Sequence, residues 1–501
     1  MGWTPDNTQP RDEKAIFLAA LLLRLLARVL TPVDWNPDSY HHWQISYLSL
    51  HLGFKEWRLW DLLGCEYYWG MLPHLTQAAL MGALKTPNID TYRSLNTILG
   101  GLNAVLIYRV GRQYYSRRNG LISGLSYAAL PLAVWFDSVA MQDTMALALV
   151  LGSLTIFRDR YFWSGVLLGL ACHTRVEYTV ASALVLAGFL LRERLYTDSQ
   201  PFLIGWLTAW AIPSLHIYLQ TGNPFYPVYW GLYSYLGGFT SKYRGQPFLS
   251  VFSGWLRARP QIWLGSAWGV LLIATVAVTV VAIPYMALRK WYRYQPQLYA
   301  VSALATTAPL FLPYLAVGGE PLRLMARFAI PPIALGLPVF THLLTRLQNV
   351  EGWGKASRAF SAALPVGLLA LNLVAAPHYM GLQGTVEAEF QVADQAARHY
   401  RGGTVVCDIP SMVYRLVTRW EVEPGSLLSN LYGPHYYGVL EPQAYLEWLD
   451  QNNVTLWMYY GERGDPVWAV LGGYPGLLKP LFGEPRRGTY QVDPSLLDSL
   501  L

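Results

Sequence analysis

Charge is scarce in this chain. Of its 501 residues, 14% are Asp, Glu, Lys or Arg and 53% are apolar, against about 25% charged in an average soluble domain. So few charges cannot solvate the surface of several soluble domains, which excludes that architecture. Cysteine is nearly absent. Cys65, Cys172 and Cys407 lie far apart and supply neither a disulfide framework nor metal-ligand spacing. No basic stripe interleaved with aromatics stands outside the hydrophobic segments, so nucleic acid is not an expected partner. Internal repeats and low-complexity tracts are missing. The first apolar run, 15–31, lacks a small-residue cleavage site and reads as an anchor.

What the chain does have is long apolar runs, with 20 Trp and 34 Tyr, rings that favour the water–lipid boundary. Apolar segments lie near 15–31, 69–84, 94–110, 119–136, 141–157, 161–173, 178–191, 202–219, 263–286, 298–316, 327–346 and 359–377. The segment 69–84 is short and holds Pro73, His74 and Gln77, which suits a helix lying in the interface plane. With that placement and a cytoplasmic N-terminus, the short cytoplasmic loops 109–118, 158–160, 192–201, 289–296 and 346–358 carry 14 basic residues, and the opposite loops 137–143, 174–177, 221–262 and 317–327 carry 7, as the positive-inside rule requires. The expectation is an α-helical polytopic membrane protein with about 11 transmembrane helices. The region 32–93, the short loops 137–143 and 174–177, the longer loops and the C-terminal region then lie outside. The excess of Arg over Lys points to a prokaryotic plasma membrane.

The charge distribution divides the chain. Residues 380–501 carry 8 basic and 14 acidic side chains, a net of −6, and the preceding 379 carry a net of +12. We expect a transmembrane domain over 1–379, with its first external loop at 32–93, and a small extracytoplasmic α/β domain over 380–501. Val386 to Tyr400 has helical spacing, Gly402-Gly403 breaks it, and Thr404 to Asp408 reads as a buried strand. Pro442 to Asp450 is a second helix and Val454 to Tyr460 a second strand, an order that suggests a partly parallel sheet.

The unusual polar residues collect on the external face. Asp34 and Asp38 follow the first span, with Tyr40 and His41 behind them. A carboxylate there can act as a general base at the lipid boundary, or Asp38 can simply cap a Pro-led helix. Glu66 and Tyr68 precede the in-plane segment. Asp143 begins a very apolar helix, where it is either a site residue or a partner of the helix dipole. Arg175 and Glu177 sit between two short apolar helices, where charge is costly unless paired or functional; a local Arg175–Glu177 pair is the plain alternative. Arg323 and Arg327 stand at the outer start of a late span, able to bind phosphate or to anchor at headgroups. Arg24 and Arg28 lie four residues apart within the first span, on one face. Acids that take protons or hold metal, beside guanidinium groups that suit phosphate, fit chemistry on a lipid-linked phosphate.

In the order and spacing of these elements the chain resembles the C-type membrane glycosyltransferases. Protein O-mannosyltransferases, lipid A aminoarabinose transferases and the oligosaccharyltransferase catalytic subunit share that fold. The resemblance rests on Asp38-Ser39-Tyr40, on Tyr67-Tyr68-Trp69 leading to Pro73, on Gln142-Asp143, on Thr174-Arg175-Val176-Glu177 and on Arg327-Phe328-Ala329-Ile330-Pro331. It implies inverting transfer of one sugar from a polyprenyl-phosphate donor to a hydroxyl of a lipid, glycan or protein, outside the cytoplasm. Asp38 would be the base, with Asp34 as the alternative. Arg175 and Arg327 would hold the departing phosphate. Glu66 and Asp143 would position donor, acceptor or a divalent cation, and Asp38 with Asp143 are the residues through which Mg or Mn would bind. The Trp-Trp-Asp element of oligosaccharyltransferases is absent, which argues against transfer of whole glycans to Asn. A flippase or exporter of lipid-linked sugars is the competing function. It should place charge near the membrane midplane on paired repeats, a pattern the sequence lacks.

Overall fold

The computed structural model describes residues 9–53, 70–157, 159–179, 182, 196–228, 327, 330–350, 352–428, 442–459, 473–484 and 487–501. Of the expected spans, most of 178–191 and all of 263–286 and 298–316 lie outside these residues. The chain divides into two compact units. One comprises Met1–Pro32, Tyr67–Pro73 and Arg93–Tyr379; the other comprises Val33–Glu66, His74–Tyr92 and Met380–Leu501. Much of the first external region thus groups with the C-terminal domain.

The first unit is helical. Helix α1 (Gln9–Leu30) turns Ile16, Ala20, Arg24 and Ala27 inward and leaves Leu18, Leu22, Leu26 and Val29 exposed. The buried stripe follows the helical period, and the exposed face is apolar, as a lipid-facing surface must be. Helices α2 (Pro37–Leu52) and α3 (Leu72–Leu84), which fall largely in the second unit, come before α4 (Asp90–Tyr114). The expected segment 119–136 is two helices, α5 (Arg117–Ala129) and α6 (Pro131–Phe136). Pro131 has no N–H to give and forces Leu130 into extended backbone, so the helix cannot run through. Then come α7 (Asp143–Ile156), α8 (Tyr161–Cys172) and α9 (Tyr196–Thr221). A Cβ at Gly165 would run into the Phe202 carbonyl, and one at Gly205 into that of Phe162. Helices α8 and α9 therefore meet backbone to backbone, a contact that needs glycine. Helix α10 (Ile330–Leu347) is joined to α5 by Thr345 donating to Asn119 Oδ1 at 2.6 Å and by a Ser123–Thr341 hydroxyl pair at 2.8 Å.

Helix α11 (Gly354–His399) runs for 46 residues, where the sequence suggests a span at 359–377 and a separate helix from Val386. Pro365 and Pro377 lie inside it, each removing one N–H. Beyond Pro377 the helix is propagated by strong formers such as Ala, Glu and Gln. Its apolar stretch is exposed at Val366, Leu373 and Val374. Among the described residues, this helix and Gln200–Leu219 are long and apolar enough to cross a membrane. Helix α3, at 13 residues, is about 20 Å long and falls short of a bilayer core of about 30 Å.

The second unit holds α2, most of α3 and the C-terminal domain. The domain contains β1 (Thr404–Cys407), α12 (Pro410–Trp420), β2 (Leu427–Leu428), α13 (Pro442–Gln451), β3 (Val454–Tyr459), β4 (Leu478–Glu484), β5 (Arg487–Val492) and α14 (Pro494–Leu500). The sheet order is β2-β1-β3-β5-β4. Strand β1 is parallel to β2 and β3, while β5 runs antiparallel to β3 and β4. The two expected strands are the parallel pair β1 and β3. Gly402 and Gly403 take φ of +106° and +85°, values that suit glycine, and turn the chain out of α11 into β1. The core gathers Val406, Leu446, Leu449, Trp457 and Tyr490.

Candidate active site

The candidate residues of the second unit are organised by helix α2. Asn36 caps it, its side chain accepting from the Asp38 amide at 3.1 Å, while Asp34 Oδ1 accepts from the Asn36 amide at 3.0 Å. Asp34 is fully buried and spends an oxygen on shaping this turn. Asp38 is half-buried on the first turn, behind Pro37, at the positive end of the helix dipole. Of the two carboxylates, Asp38 is the more accessible. Tyr40 is buried and its hydroxyl donates to the Asp34 carbonyl at 3.0 Å. Its ring meets Tyr414 of α12 at 5.1 Å and Phe390 of α11 at 5.8 Å. The Trp43 ring also contacts Tyr414, and its indole N–H donates to the Pro87 carbonyl at 2.6 Å. Aromatic contacts of this kind fix α2 against the C-terminal domain. His41 stacks on His42, and His42 Nδ1 lies 2.9 Å from His74 Nε2. Ser46 donates to Gln77 Oε1 beside them. His41, His74 and Gln77 stood out in the sequence as polar residues on or beside apolar segments; that His42, His74, Ser46 and Gln77 meet is a product of the tertiary fold.

The first unit carries the charged cluster. Arg175 stands just past the end of α8. Its Nη1 donates to Asp143 Oδ1 at 2.6 Å, and its Nη2 and Nε donate to Glu177 Oε1 and Oε2 at 2.5 and 3.2 Å. Arg327 Nε lies 3.8 Å from Asp143 Oδ2. Arg175, Arg327, Asp143 and Glu177 are at most 7% exposed. Asp143 opens α7, yet its side chain caps nothing; it is spent on arginine. The local Arg175–Glu177 pair is real, but it is part of a cluster that, among the described residues, also holds Asp143 and Arg327. Asp143 Oδ2 accepts no hydrogen bond, and the buried Tyr178 hydroxyl makes none, although it lies in the field of Arg175, Asp143 and Glu177.

The turn that bears Arg175 is held from two sides. Gly70, at φ +83°, lies against the His173 carbonyl, where an added Cβ would approach to 2.6 Å, and Leu72 N–H donates to that carbonyl at 2.9 Å. Beside it His173, Val176, Trp210, Ile217 and Phe225 line a small, mostly apolar crevice.

A second buried network fixes the loop before Asp143. Arg24 donates through Nε and Nη2 to Asp137 Oδ2 at 3.0 and 2.7 Å, and Tyr127 adds its hydroxyl at 3.2 Å. Thr144 donates to Asp137 Oδ1 at 2.7 Å. Asn96 donates to the carbonyls of Val139 and Met141. Arg93 donates to those of Thr31, Pro32 and Ser138, tying the exit of α1 to the same loop. Arg24 was visible in the sequence as a charge inside a span; its partner Asp137, 113 residues away, was not. Glu66, Tyr68 and Arg323 lie outside the described residues. Asp38 and Asp143 fall in different units. Among the described residues no three His, Cys, Asp or Glu side chains gather as a metal-binding group.

Comparison with known proteins adds the fold. Residues 77–219 match the profile of the dolichyl-phosphate-mannose-protein mannosyltransferases, a stretch that contains Asp143, Arg175 and Glu177. ArnT from Cupriavidus metallidurans bound to undecaprenyl phosphate superposes with a TM-score of 0.56 at 13% identity, covering 96% of this chain and 98% of that one. The fold is that of the C-type membrane glycosyltransferases. The Archaeoglobus fulgidus oligosaccharyltransferase has it too. Its apo form superposes at 0.53 with 12% identity, over 91% of this chain and 71% of that one. Its form tethered with an acceptor peptide scores 0.53 at 11% identity, over 89% and 68%. No curated protein sequence matches the chain. On this C-type fold the buried arginine cluster lies within, or next in space to, the segment that the mannosyltransferase profile covers.

Proposed function

We propose that this protein is an inverting glycosyltransferase that moves a single sugar from a polyprenyl-phosphate donor to a hydroxyl group of a lipid, glycan or protein on the extracytoplasmic face. The observation that carries this reading is the burial of Arg175 and Arg327 around Asp143 and Glu177. Two guanidinium groups in a membrane body are expensive, and their geometry suits a phosphate. The mannosyltransferase profile over residues 77–219 and the neighbour bound to undecaprenyl phosphate support the same donor class.

In the proposed reaction Asp38 accepts the proton of the acceptor hydroxyl as its oxygen attacks the anomeric carbon. The bond between that carbon and the phosphate oxygen breaks, and the lipid phosphate leaves with the electron pair. Arg175 and Arg327 balance its charge, so the departing anion is stabilised as it forms. A single displacement inverts the anomeric centre. His41, Glu66, Tyr68 and Arg323 are proposed contacts to sugar or headgroup, and Asp34 and Tyr40 hold the turn that carries Asp38. The test is mass spectrometry of the lipid that co-purifies with the protein, followed by transfer assays with that sugar class. Asp38→Asn should abolish transfer, a loss of at least about a thousandfold, while lipid retention and the melting temperature stay unchanged. Undiminished transfer by this variant would remove Asp38 from the reaction.

A further inference from the structure

The C-terminal domain presents one helix to the element that carries Asp38. Ser411, Tyr414 and Arg415 are spaced three and four residues apart on α12 and so share a face. Two of them lock that helix to α11. Arg415 donates to both Asp394 oxygens at 2.9 and 2.8 Å and lies over the Phe390 ring at 5.3 Å, and Ser411 donates to Glu389. Trp420 adds a bond to Asp394 at 2.7 Å. From this anchored helix the Tyr414 ring reaches α2. It meets Tyr40 at 5.1 Å and crosses Trp43 edge-on at 4.8 Å, and both partner rings are buried. We infer that Tyr414 is a positioning residue for Asp38: through this ring the C-terminal domain sets the place of the base.

The path from ring to carboxylate is short. The Tyr40 hydroxyl donates to the Asp34 carbonyl at 3.0 Å, Asp34 Oδ1 accepts from the Asn36 amide, and Asn36 Oδ1 accepts from the Asp38 amide. Displacing the Tyr40 ring therefore loosens the turn that caps α2 and carries Asp38. Two residues turn an α-helix by about 200°, so Asp38 lies across α2 from Tyr40. Tyr414 grips the helix from the side away from the carboxylate, and the base is held without being covered. The ring does this work and the hydroxyl does not. Tyr414 Oη is 3.4 Å from Asn88 Oδ1 at an exposed position, whereas the ring contacts are made on buried partners. A misplacement of about 1 Å costs on the order of a hundredfold in rate, so a packing contact at this distance has a catalytic consequence.

This inference rests on the role proposed for Asp38, and its test separates the two. The purified full-length protein is compared with Tyr414→Ala, Tyr414→Leu and Tyr414→Phe by hydrogen exchange and by turnover of undecaprenyl-phosphate mannose, followed as release of undecaprenyl phosphate. Ser39 N–H bonds the Asn36 carbonyl at 3.0 Å, so exchange at Asp38 and Ser39 reads the state of the cap. Tyr414→Ala should speed that exchange at least about tenfold, leave β1 and β3 protected, and lower kcat about ten- to a hundredfold with KM unchanged. Tyr414→Leu keeps the bulk that folding needs but not the flat ring, and should show the same effects in smaller measure; it serves if the alanine variant fails to fold. Tyr414→Phe should match wild type in both measurements, a rescue that ties the effect to the ring. Wild-type exchange in Tyr414→Ala and Tyr414→Leu, or wild-type kcat in both while Asp38→Asn is inactive, would overturn the inference alone. Equal turnover by Asp38→Asn and wild type would overturn the proposed base and this inference with it.

Discussion

Arg24 and Arg175 are both buried arginines held by an aspartate, yet they sit in networks of different kinds. Around Arg24 both members of the ion pair spend all of their polar atoms. Asp137 takes Arg24 and Tyr127 on one oxygen and Thr144 on the other, and Arg24 Nη1 reaches the Ala20 and Ala128 carbonyls. Around Arg175 two carboxylates and a second arginine crowd together, while one aspartate oxygen and one phenol stay without hydrogen bonds. A closed network can only hold the protein together. A cluster with unused polar capacity can do so and still accept a ligand. The contrast separates framework from site without reference to any relative.

The largest effect that would break the comparison is on stability. Arg24→Met strands Asp137 as a buried, uncompensated carboxylate, which should cost about 3–5 kcal/mol and lower the melting temperature markedly. The folded fraction should still bind undecaprenyl phosphate with wild-type Kd. Pairing Arg24→Met with Asp137→Leu should recover most of that loss, because an apolar pair of similar bulk often replaces a buried ion pair at little cost. If the Arg24→Met variant instead lost lipid affinity selectively, the framework would have to be counted as part of the site.

Gly100 sharpens the same point from the backbone side. A Cβ there would lie 2.6 Å from Asp137 Oδ2 and 2.7 Å from its Cβ, so Gly100→Ala should destabilise by about 1–3 kcal/mol, measured by thermal unfolding. Gly70→Ala meets the His173 carbonyl at φ +83° and should cost about the same. In addition it should weaken lipid binding, because His173 leads into the Arg175 turn.

A smaller, pH-dependent effect belongs to the C-terminal domain. Hydrogen bonds from Arg415, opposed by burial and joined by Trp420, hold the Asp394 carboxyl below its ordinary value. A lowered folded pKa stabilises the protein above the ordinary carboxylate range and loses that stabilisation as pH falls through the lowered value. Burial pushes Glu389 the other way, against a hydrogen bond from Ser411. Its contribution is fullest below the ordinary glutamate value and fades as pH rises through the raised one. Melting curves from pH 3 to pH 7 should therefore lose part of their acid limb in Asp394→Asn and should flatten toward neutral pH in Glu389→Gln. The smallest effect expected is that of Arg117→Ala. The Arg117–Asp12 pair at 2.8 Å is exposed on the arginine side, and its loss should change stability by less than about 1 kcal/mol.

Much of this was legible in the chain itself. Apolar runs marked α7, α8 and α10 to within about three residues and α1, α4 and α9 to within about six, because the helical period and the scarcity of charge leave few alternatives. Strands β1 and β3 were readable from short apolar runs bounded by Gly402-Gly403 and by Asn452-Asn453. Asp143, Arg175 and Glu177 stood out because a charge between apolar helices has to be explained. The hairpin of β4 and β5 was missed, since Pro480 and Gly483 interrupt its alternation. The packing of Tyr40 was not legible: its hydroxyl donates to the Asp34 carbonyl and its ring meets Tyr414 and Phe390, and no local pattern announces a partner more than 370 residues away.

The sequence by itself determined where lipid can touch this protein and which charges had to be paired or put to use, because hydrophobic run length and the cost of burying charge are properties of local stretches. Only the tertiary structure decided which partner each charge took. Arg24 chose Asp137, Arg175 divided itself between Asp143 and Glu177, and α2 joined the C-terminal domain through Tyr414. Pairing is set by the distance between atoms from remote parts of the chain, and that distance exists only after the helices have packed.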